Sequence, residues 1–383
     1  LGQSGHLFNS SRFMHSYPHD WRSKTPVIFR STEQWFVSVD SGFEVPGAAS
    51  GGSLRERALD AIGPDATDAV GFIPSWGRNR FRGMLESRPD WCISRQRAWG
   101  LPIPSFRTPA GETFMTPASV RAVAALVRER GSDVWFKATP SDLLAGYDPS
   151  SDPDAPAGLD VLTLEKNHDI LDVWFEAGSS WNAVQRQRFG DDGFPADLYL
   201  EGSDQHRGWF QLSLLPSLGV TGKPPFRAIL THGFMVDKDG RKLSKSRGHT
   251  IENLFERYGA DVLRWWVSSL AYEGDVKVDD EFFDQAGESY RKVRNTLRFM
   301  LSNLGGEDLA TEQAAAMLRA APPTSLEAWL CHRFDALQAQ VRRAYDRCEF
   351  RAAHLALYQF CADTLSSVYL AAPKDRLYCD PAE

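Results

Sequence analysis

Asp197-Leu-Tyr-Leu-Glu-Gly-Ser-Asp-Gln-His-Arg-Gly-Trp-Phe210 is the stretch on which the reading of the fold turns. Its first four residues are a short apolar run that predicts a strand, and residues 204 to 218 predict a helix. A second apolar run, Phe226-Arg-Ala-Ile-Leu-Thr-His232, follows the helix. Strand, helix and strand in this rhythm predict parallel pairing within an α/β sheet. A similar run, Ile170-Leu-Asp-Val-Trp-Phe175, precedes them.

Open α/β sheets bind ligands beyond the carboxyl ends of their strands. With a strand over 197 to 200, Glu201, Gly202, Asp204 and Gln205 fall at such an end. Gly202 has no Cβ and lets a flat ligand approach the backbone. Asp204 can accept from ribose hydroxyls and Glu201 from a ligand amine or hydroxyl. A helix beginning near Asp204 adds free N–H groups at its positive end. The plainer alternative makes Asp204 an N-cap and Glu201 a surface acid.

Some forty residues on, Lys242-Leu-Ser-Lys-Ser246 lies in a loop bracketed by Gly240 and Gly248. Lys238, Arg241, Lys242, Lys245 and Arg247 face only two acids there, Asp237 and Asp239. Lysine ammoniums on a closing loop can neutralise charge that develops on a departing pyrophosphate. A solvated basic turn has the same composition. Trp174 and Trp209 adjoin the ligand-end positions and can wall a small apolar pocket with the Gln205 amide at its mouth, or pack in the core.

At 383 residues the chain is long enough for two or three domains. Its 43 Lys and Arg against 50 Asp and Glu give a net charge of −7, which argues against wholesale wrapping of nucleic acid. A local basic surface is compatible with that balance: residues 286 to 299 hold Arg291, Lys292, Arg294 and Arg298 against the single acid Glu288. Cysteines at 92, 331, 348, 361 and 379 form neither a metal knuckle nor a disulfide framework, which points to a reducing, cytoplasmic setting. No apolar run approaches 18 residues, so no membrane span is expected.

Elsewhere, residues 26 to 39 are β-branched and aromatic and predict strands. Residues 53 to 62 predict a short helix. Residues 118 to 130 put Val120, Val123, Ala124 and Val127 on one helical face, with Gly131 as the stop. Residues 146 to 158 read as a loop. Beyond about residue 250 the pattern is wholly helical, with long amphipathic stretches at 284 to 304 and 325 to 371; Leu326, Trp329, Leu330, Phe334 and Leu337 form one stripe. Arg95 and Arg97, in the run from Trp91 to Pro104, suit phosphate or RNA, or simply pair with acids. His19 and His168 have no partner spacing for a metal.

These motifs together resemble a bacterial isoleucyl-tRNA synthetase, of the class I aminoacyl-tRNA synthetases. The resemblance runs in order through Tyr17-Pro-His-Asp-Trp-Arg, Lys24-Thr-Pro-Val-Ile-Phe-Arg, Asp90-Trp-Cys-Ile-Ser-Arg-Gln-Arg, Asp172-Val-Trp-Phe and Leu200 to Phe210. Leu230-Thr-His-Gly-Phe, Lys242-Leu-Ser-Lys-Ser, Gly259-Ala-Asp-Val-Leu-Arg and Ser289-Tyr-Arg-Lys-Val-Arg-Asn-Thr continue it. The Asp90 block is shared with leucyl and valyl relatives, while Leu200 to Phe210, with Gln205, points to isoleucine.

The resemblance implies an α/β fold: the C-terminal half of a Rossmann-type catalytic domain followed by an all-α helical bundle. It divides the chain into the trailing edge of an editing insertion (1–40), the second half of the catalytic domain with its lysine loop (41–247), a stem-contact connection (248–286) and the start of a helical anticodon-binding domain (287–383). The implied reaction joins isoleucine and ATP, with Mg²⁺, into isoleucyl-adenylate, then moves the aminoacyl group to tRNA(Ile). By the same resemblance Glu201, Gly202 and Asp204 hold the adenylate, and Trp174, Gln205 and Trp209 surround the amino acid. Lys242 and Lys245 are catalytic, with Lys245 on the triphosphate, and Arg291, Arg294 and Arg298 touch tRNA. The full-length enzyme is expected to be a cytoplasmic monomer. Apolar pockets separate amino acids one methylene apart only weakly, and isoleucine against valine is the standard illustration of that rule, so an editing site is implied as well.

The chain departs from the family pattern at several points. Its His-x-Gly-His element is missing, since Ser4-Gly-His6 does not qualify, so a piece of a longer protein with weak or no activity alone is expected. Leu243 stands where Met is usual, His249 for Asn, Glu176 for Asp and Asp20 for Cys. The family's zinc-binding segment is not reached, so no zinc is expected. A valyl or leucyl sister enzyme and a tRNA-binding module without catalysis are the alternatives.

Overall fold

A computed structural model describes residues 2–20, 23–45, 51–66, 69–237, 239–241, 243, 251–304 and 311–379. The chain divides into two compact units, one of Leu1–Ser38 with Asp90–Val173, the other of Val39–Pro89 with Trp174–Glu383.

The larger unit is built on a parallel three-stranded sheet. Its strands are β1 (Gly71–Ile73), β2 (Tyr199–Gly202) and β3 (Ala228–His232), with β3 in the centre. Leu230 stands opposite both Ile73 and Leu200, Thr231 opposite Glu201, and His232 opposite Gly202. Ile229, Leu230 and Thr231 are all buried, the unbroken pattern of a strand covered on both faces. Strand, helix and strand therefore pair in parallel as expected.

Helices α1 (Leu54–Ala61), α2 (Trp76–Glu86) and α3 (Trp209–Thr221) belong to the same unit. Ser53 caps α1 reciprocally with Glu56: each side chain accepts from the other's backbone N–H. In α3 Phe210 to Leu215, Ser217 and Leu218 are buried, so the helix is enclosed on successive positions rather than along one stripe. It closes on Gly222, whose φ of 71° only glycine adopts cheaply.

Beyond residue 250 the chain is not wholly helical, since Val276–Lys277 is a strand. Met235–Val236 pairs in parallel with Val276–Lys277. Gly233 makes this possible, because a Cβ there would lie 2.1 Å from the Gly274 carbonyl carbon. The helical region contains Ile251–Tyr258, α4 (Ala260–Ser268), α5 (Asp280–Ser302), Thr311–Ala320, α6 (Leu326–Asp346) and α7 (Phe350–Gln359), which runs into a wider turn at Phe360–Tyr369. The stretch expected over 325 to 371 is broken at Cys348, where φ is +57°. Leu337, Ala356, Phe360 and Leu365 form its core with Leu330 packed against them, while Trp329 and Phe334 of the expected stripe are exposed.

The smaller unit is made of short antiparallel pairs: Phe36–Val37 with Trp91–Cys92, Ser94–Arg95 with Ile170–Leu171, and Phe106–Arg107 between Thr113–Phe114 and Glu165–Lys166. Two expectations are corrected here. Of residues 26 to 39 only Phe36–Val37 forms a strand; Ile28 and Phe29 are 89% and 78% exposed, and β propensity without a partner ladder makes no sheet. The run from Ile170 to Phe175 ends as a strand at Leu171, since buried Asp172 turns its N–H to the Ile93 carbonyl and a helix follows at Val173–Gly178. The helix expected over 118 to 130 spans Pro117–Arg130 and stops at Gly131 (φ 79°). The 146–158 loop is pinned by Asp152, which accepts from Thr116 Oγ1 (2.6 Å) and Tyr147 Oη (2.8 Å). Burial and this carboxylate push the Tyr147 phenol up to about 12.

Candidate functional site

At the carboxyl end of β2 the chain enters a tight 3₁₀ turn, Ser203–His206, before α3 begins. The expected helix start near Asp204 is thus displaced to Trp209. Gly208 breaks the path at φ −96°, ψ −122°, and α3 is capped by neither Asp204 nor any side chain of Gly208. Gln205 Oε1 accepts from Trp209 N–H at 2.8 Å instead. A Cβ at 208 would come 2.4 Å from Gln205 Oε1, so a larger residue there would displace the Gln205 amide. The Gln205 side-chain nitrogen reaches Asp204 Oδ2 at 3.3 Å, so amide and carboxylate are aligned side by side.

Glu201 and Asp204 are exposed, while Gly202 between them is buried. Glu201 Oε2 accepts from the Gly202 N–H at 2.9 Å. The side of Gly202 that a Cβ would occupy is filled by Asp204 Oδ1 and the Phe234 ring, 3.0 and 3.2 Å from where that atom would stand. Two carboxylates and an amide thus belong to one strand end, groups of the kind that can hold hydroxyls and an ammonium.

Trp209 is half-buried and fixed from two sides. Its Nε1 donates to the Ala177 carbonyl at 2.9 Å, and its ring stacks on Tyr199 at 4.2 Å and 7°. Ala177 lies in the Val173–Gly178 helix that also carries Trp174, which is 39% exposed. Gly178 brings this helix onto α3, since a Cβ there would sit 1.9 Å from the Leu212 carbonyl oxygen. Trp174, Gln205 and Trp209 are therefore on elements in direct contact.

The neighbouring strand β3 leads through Met235–Val236 into the basic loop. Gly233 N–H donates to the Tyr272 carbonyl and Phe234 N–H to Asp275 Oδ1, both at 2.8 Å. The loop's root is closed by Leu243 N–H on the Met235 carbonyl (3.1 Å), and Asp237 Oδ1 accepts from the backbone of Asp239 and Arg241. Lys242, Lys245 and His249 lie outside the described residues.

In the smaller unit Arg95 pairs with Asp172 at 2.9 Å and donates to the Cys92 and Ser94 carbonyls, which is the acid-pairing alternative. Arg291, Arg294 and Arg298 are exposed along α5, with Arg291 paired to Glu288 one turn back. Among the described residues no group of three His, Cys, Asp or Glu is placed to hold a metal ion, and no helix is long and apolar enough to cross a membrane.

Sequence reasoning missed His206, Thr231 and Tyr199. His206 is fully enclosed, with Nε2 3.0 Å from Thr231 Oγ1. Burial first, and then the positive charge of Arg80, push its imidazole down to about 4, so it is neutral near pH 7. Its signal is tertiary, whereas Tyr199 had a readable one as an inward-facing strand residue.

The model for tRNA synthetases class I (I, L, M and V) matches residues 16–279. The chain belongs to this family. A second model, the anticodon-binding domain of tRNA ligase, matches residues 327–383 of this synthetase-family chain. Among curated relatives, proteins named isoleucine–tRNA ligase from Sulfurovum sp., Geobacillus thermodenitrificans and Aliarcobacter butzleri are 42%, 43% and 44% identical over 98%, 100% and 96% of this chain. The chain spans 38%, 39% and 38% of their lengths. Among solved structures, Mycobacterium tuberculosis methionyl-tRNA synthetase bound by methionyl-adenylate has a TM-score of 0.56 at 17% identity, covering 95% of this chain and 58% of that one. A LeuRS–tRNA–LeuAMS ternary complex from Agrobacterium radiobacter has 0.51 at 19% identity, covering 74% of this chain and 37% of that one. These likenesses establish the class I synthetase fold.

Proposed function

We propose that this chain is the adenylate-holding part of an isoleucine–tRNA ligase, and that the whole protein activates isoleucine with ATP and transfers it to tRNA(Ile). One observation carries the reading. The Glu201–Gln205 turn and the root of the lysine loop leave the carboxyl ends of two adjacent parallel strands, with Gly202 opposite His232. The relatives' shared name supports isoleucine as the amino acid.

On this reading residues 1–40 end an editing insertion, 41–247 complete the catalytic domain, 248–286 contact the tRNA stem and 287–383 begin the anticodon-binding bundle. In the first step an isoleucine carboxylate oxygen attacks the α-phosphorus of ATP, and the bond to pyrophosphate breaks. Glu201 and Gly202 hold the adenylate, Asp204 accepts from its ribose hydroxyls, and Trp174, Gln205 and Trp209 enclose the aliphatic side chain. Lys242 and Lys245 meet charge developing on the pyrophosphate, with Lys245 on the triphosphate. Mg²⁺ would enter with the ATP phosphates and would offset their negative charge. In the second step the terminal ribose hydroxyl of tRNA takes the aminoacyl group and AMP leaves. The rate gain comes from positioning and from fixed charges rather than from a covalent enzyme intermediate. We place the whole protein in the cytoplasm, as a monomer, with Arg291, Arg294 and Arg298 against tRNA.

Pyrophosphate exchange by the full-length protein, offered isoleucine, valine and leucine in turn, tests this. Isoleucine must drive exchange most effectively. Exchange driven best by valine or leucine makes the protein a sister enzyme, and tRNA binding with no exchange makes it an RNA-binding module.

A further inference from the structure

The Ser203–His206 turn exposes Asp204 outward and sends one side chain inward. The His206 ring is enclosed by Trp76, Phe81 and Phe210 at centroid distances of 5.8, 6.0 and 5.7 Å. Gly77 lies beside it, since a Cβ there would stand in ordinary contact, 3.5 Å from Nε2. Nε2 meets Thr231 Oγ1 at 3.0 Å, and Nδ1 has no hydrogen-bond partner among the described residues. With the proton on Nε2 the ring donates to Thr231 and leaves a bare lone pair at Nδ1. With the proton on Nδ1 a buried N–H would have no acceptor, so the first tautomer is favoured.

An aromatic cage of this kind would hold Leu or Phe without desolvating an imidazole. What the imidazole adds is one directed bond from the turn to β3. Its partner Thr231 stands opposite Glu201 in the sheet register. The bond therefore links Asp204 and Gln205 to the strand pair that ends in Glu201 and Gly202. Because Gln205 also caps α3 at Trp209, a shift of the turn is passed to the Trp209 end of that helix.

We propose that His206 is a positioning residue: its imidazole, through the Thr231 hydroxyl, sets the height of the Asp204–Gln205 turn over the β2–β3 edge before ligand arrives. The inference rests on the adenylate-holding reading of this site. It assigns His206 no contact with substrate.

The test is isoleucine-dependent pyrophosphate exchange in the full-length protein with His206→Leu, His206→Gln and Thr231→Val. His206→Leu and Thr231→Val are expected to raise KM for ATP and isoleucine about tenfold, with kcat changed less. His206→Gln, whose side-chain nitrogen reaches about as far as Nε2, is expected to stay within about threefold of the parent. A merely structural histidine would lower the melting temperature and the active fraction and leave both KM values in place. Unchanged KM values in His206→Leu and Thr231→Val overturn the proposal. Should His206→Leu not fold, Thr231→Val decides alone, because it only exchanges the hydroxyl for a methyl group. Absence of exchange in the parent protein overturns the adenylate reading together with this inference, whereas parent exchange with unchanged variant KM values overturns the inference only.

Discussion

The sheet around Leu230 and the helical region around Phe360 bury their residues to different depths. Helix α3 encloses eight of its 13 positions, polar Gln211, Ser213 and Ser217 among them. Helix α6, at 21 residues, buries only Leu337 and Ala344 and leaves Trp329 and Phe334 exposed. Around the sheet, half-buried groups are held by directed contacts: Gln205 Oε1 accepts from the Trp209 N–H and the Trp209 ring stacks on buried Tyr199, while His206 meets Thr231 in the enclosed layer. Along α5 the cations stand on a solvated surface. The first arrangement suits a small ligand that must be held to a fraction of an ångström, and the second a large polyanion met by diffuse charge. If that contrast is functional, substitutions in the two regions will move different quantities.

The largest effect is expected at Lys245. In the full-length protein Lys245→Ala should slow adenylate formation by about 10²–10³-fold while isoleucine affinity stays within about twofold, as for a group that acts on developing charge. Rapid-quench measurement separates the two, and equal losses in rate and affinity would assign Lys245 to ground-state binding. Next comes pH. His206 is held at about 4 in the folded chain against 6.5 as a free group, so between these values the unfolded chain binds a proton that the folded one refuses. Stability should therefore fall by up to about 3 kcal/mol as pH drops through that window, with no contribution from this group above pH 7. Denaturant titrations from pH 7 to pH 4 should show a shallower fall for His206→Gln.

Gly208→Ala drives a Cβ against Gln205 Oε1 and should raise KM for isoleucine about tenfold, more than KM for ATP. Equal KM changes would separate Gln205 from the amino-acid pocket. The smallest effects belong to the helical surface. Arg291→Ala, Arg294→Ala and Arg298→Ala should each weaken tRNA binding a few-fold, lower the salt slope by about one, and leave exchange unaltered. A fall in exchange for any of them would erase the contrast between the regions.

Much of the site was legible because its signals are local. Two apolar runs around a helix announced β2, β3 and their parallel pairing, and the resemblance supplied the roles. β1 was not legible, being three residues ahead of Pro74. The strand character of residues 26 to 34 misled because propensity carries no information about whether a partner exists. The start of α3 was misplaced by five residues because its cap comes from Gln205, four positions earlier, rather than from an Asp beside the first turn. His206 gave no sign at all, since Trp76 and Phe81, which enclose it, are more than a hundred residues away in sequence.

A crystal structure of the full-length protein with a non-hydrolysable isoleucyl-adenylate analogue tests the central claim most directly. The account predicts ribose hydroxyls about 3 Å from the Asp204 carboxylate, the isoleucine side chain against Trp174 and Trp209, and the Lys245 ammonium across the same cleft. An analogue bound away from the β2 end, or a Lys245 ammonium on the far side of the sheet from Glu201 and Asp204, would contradict it.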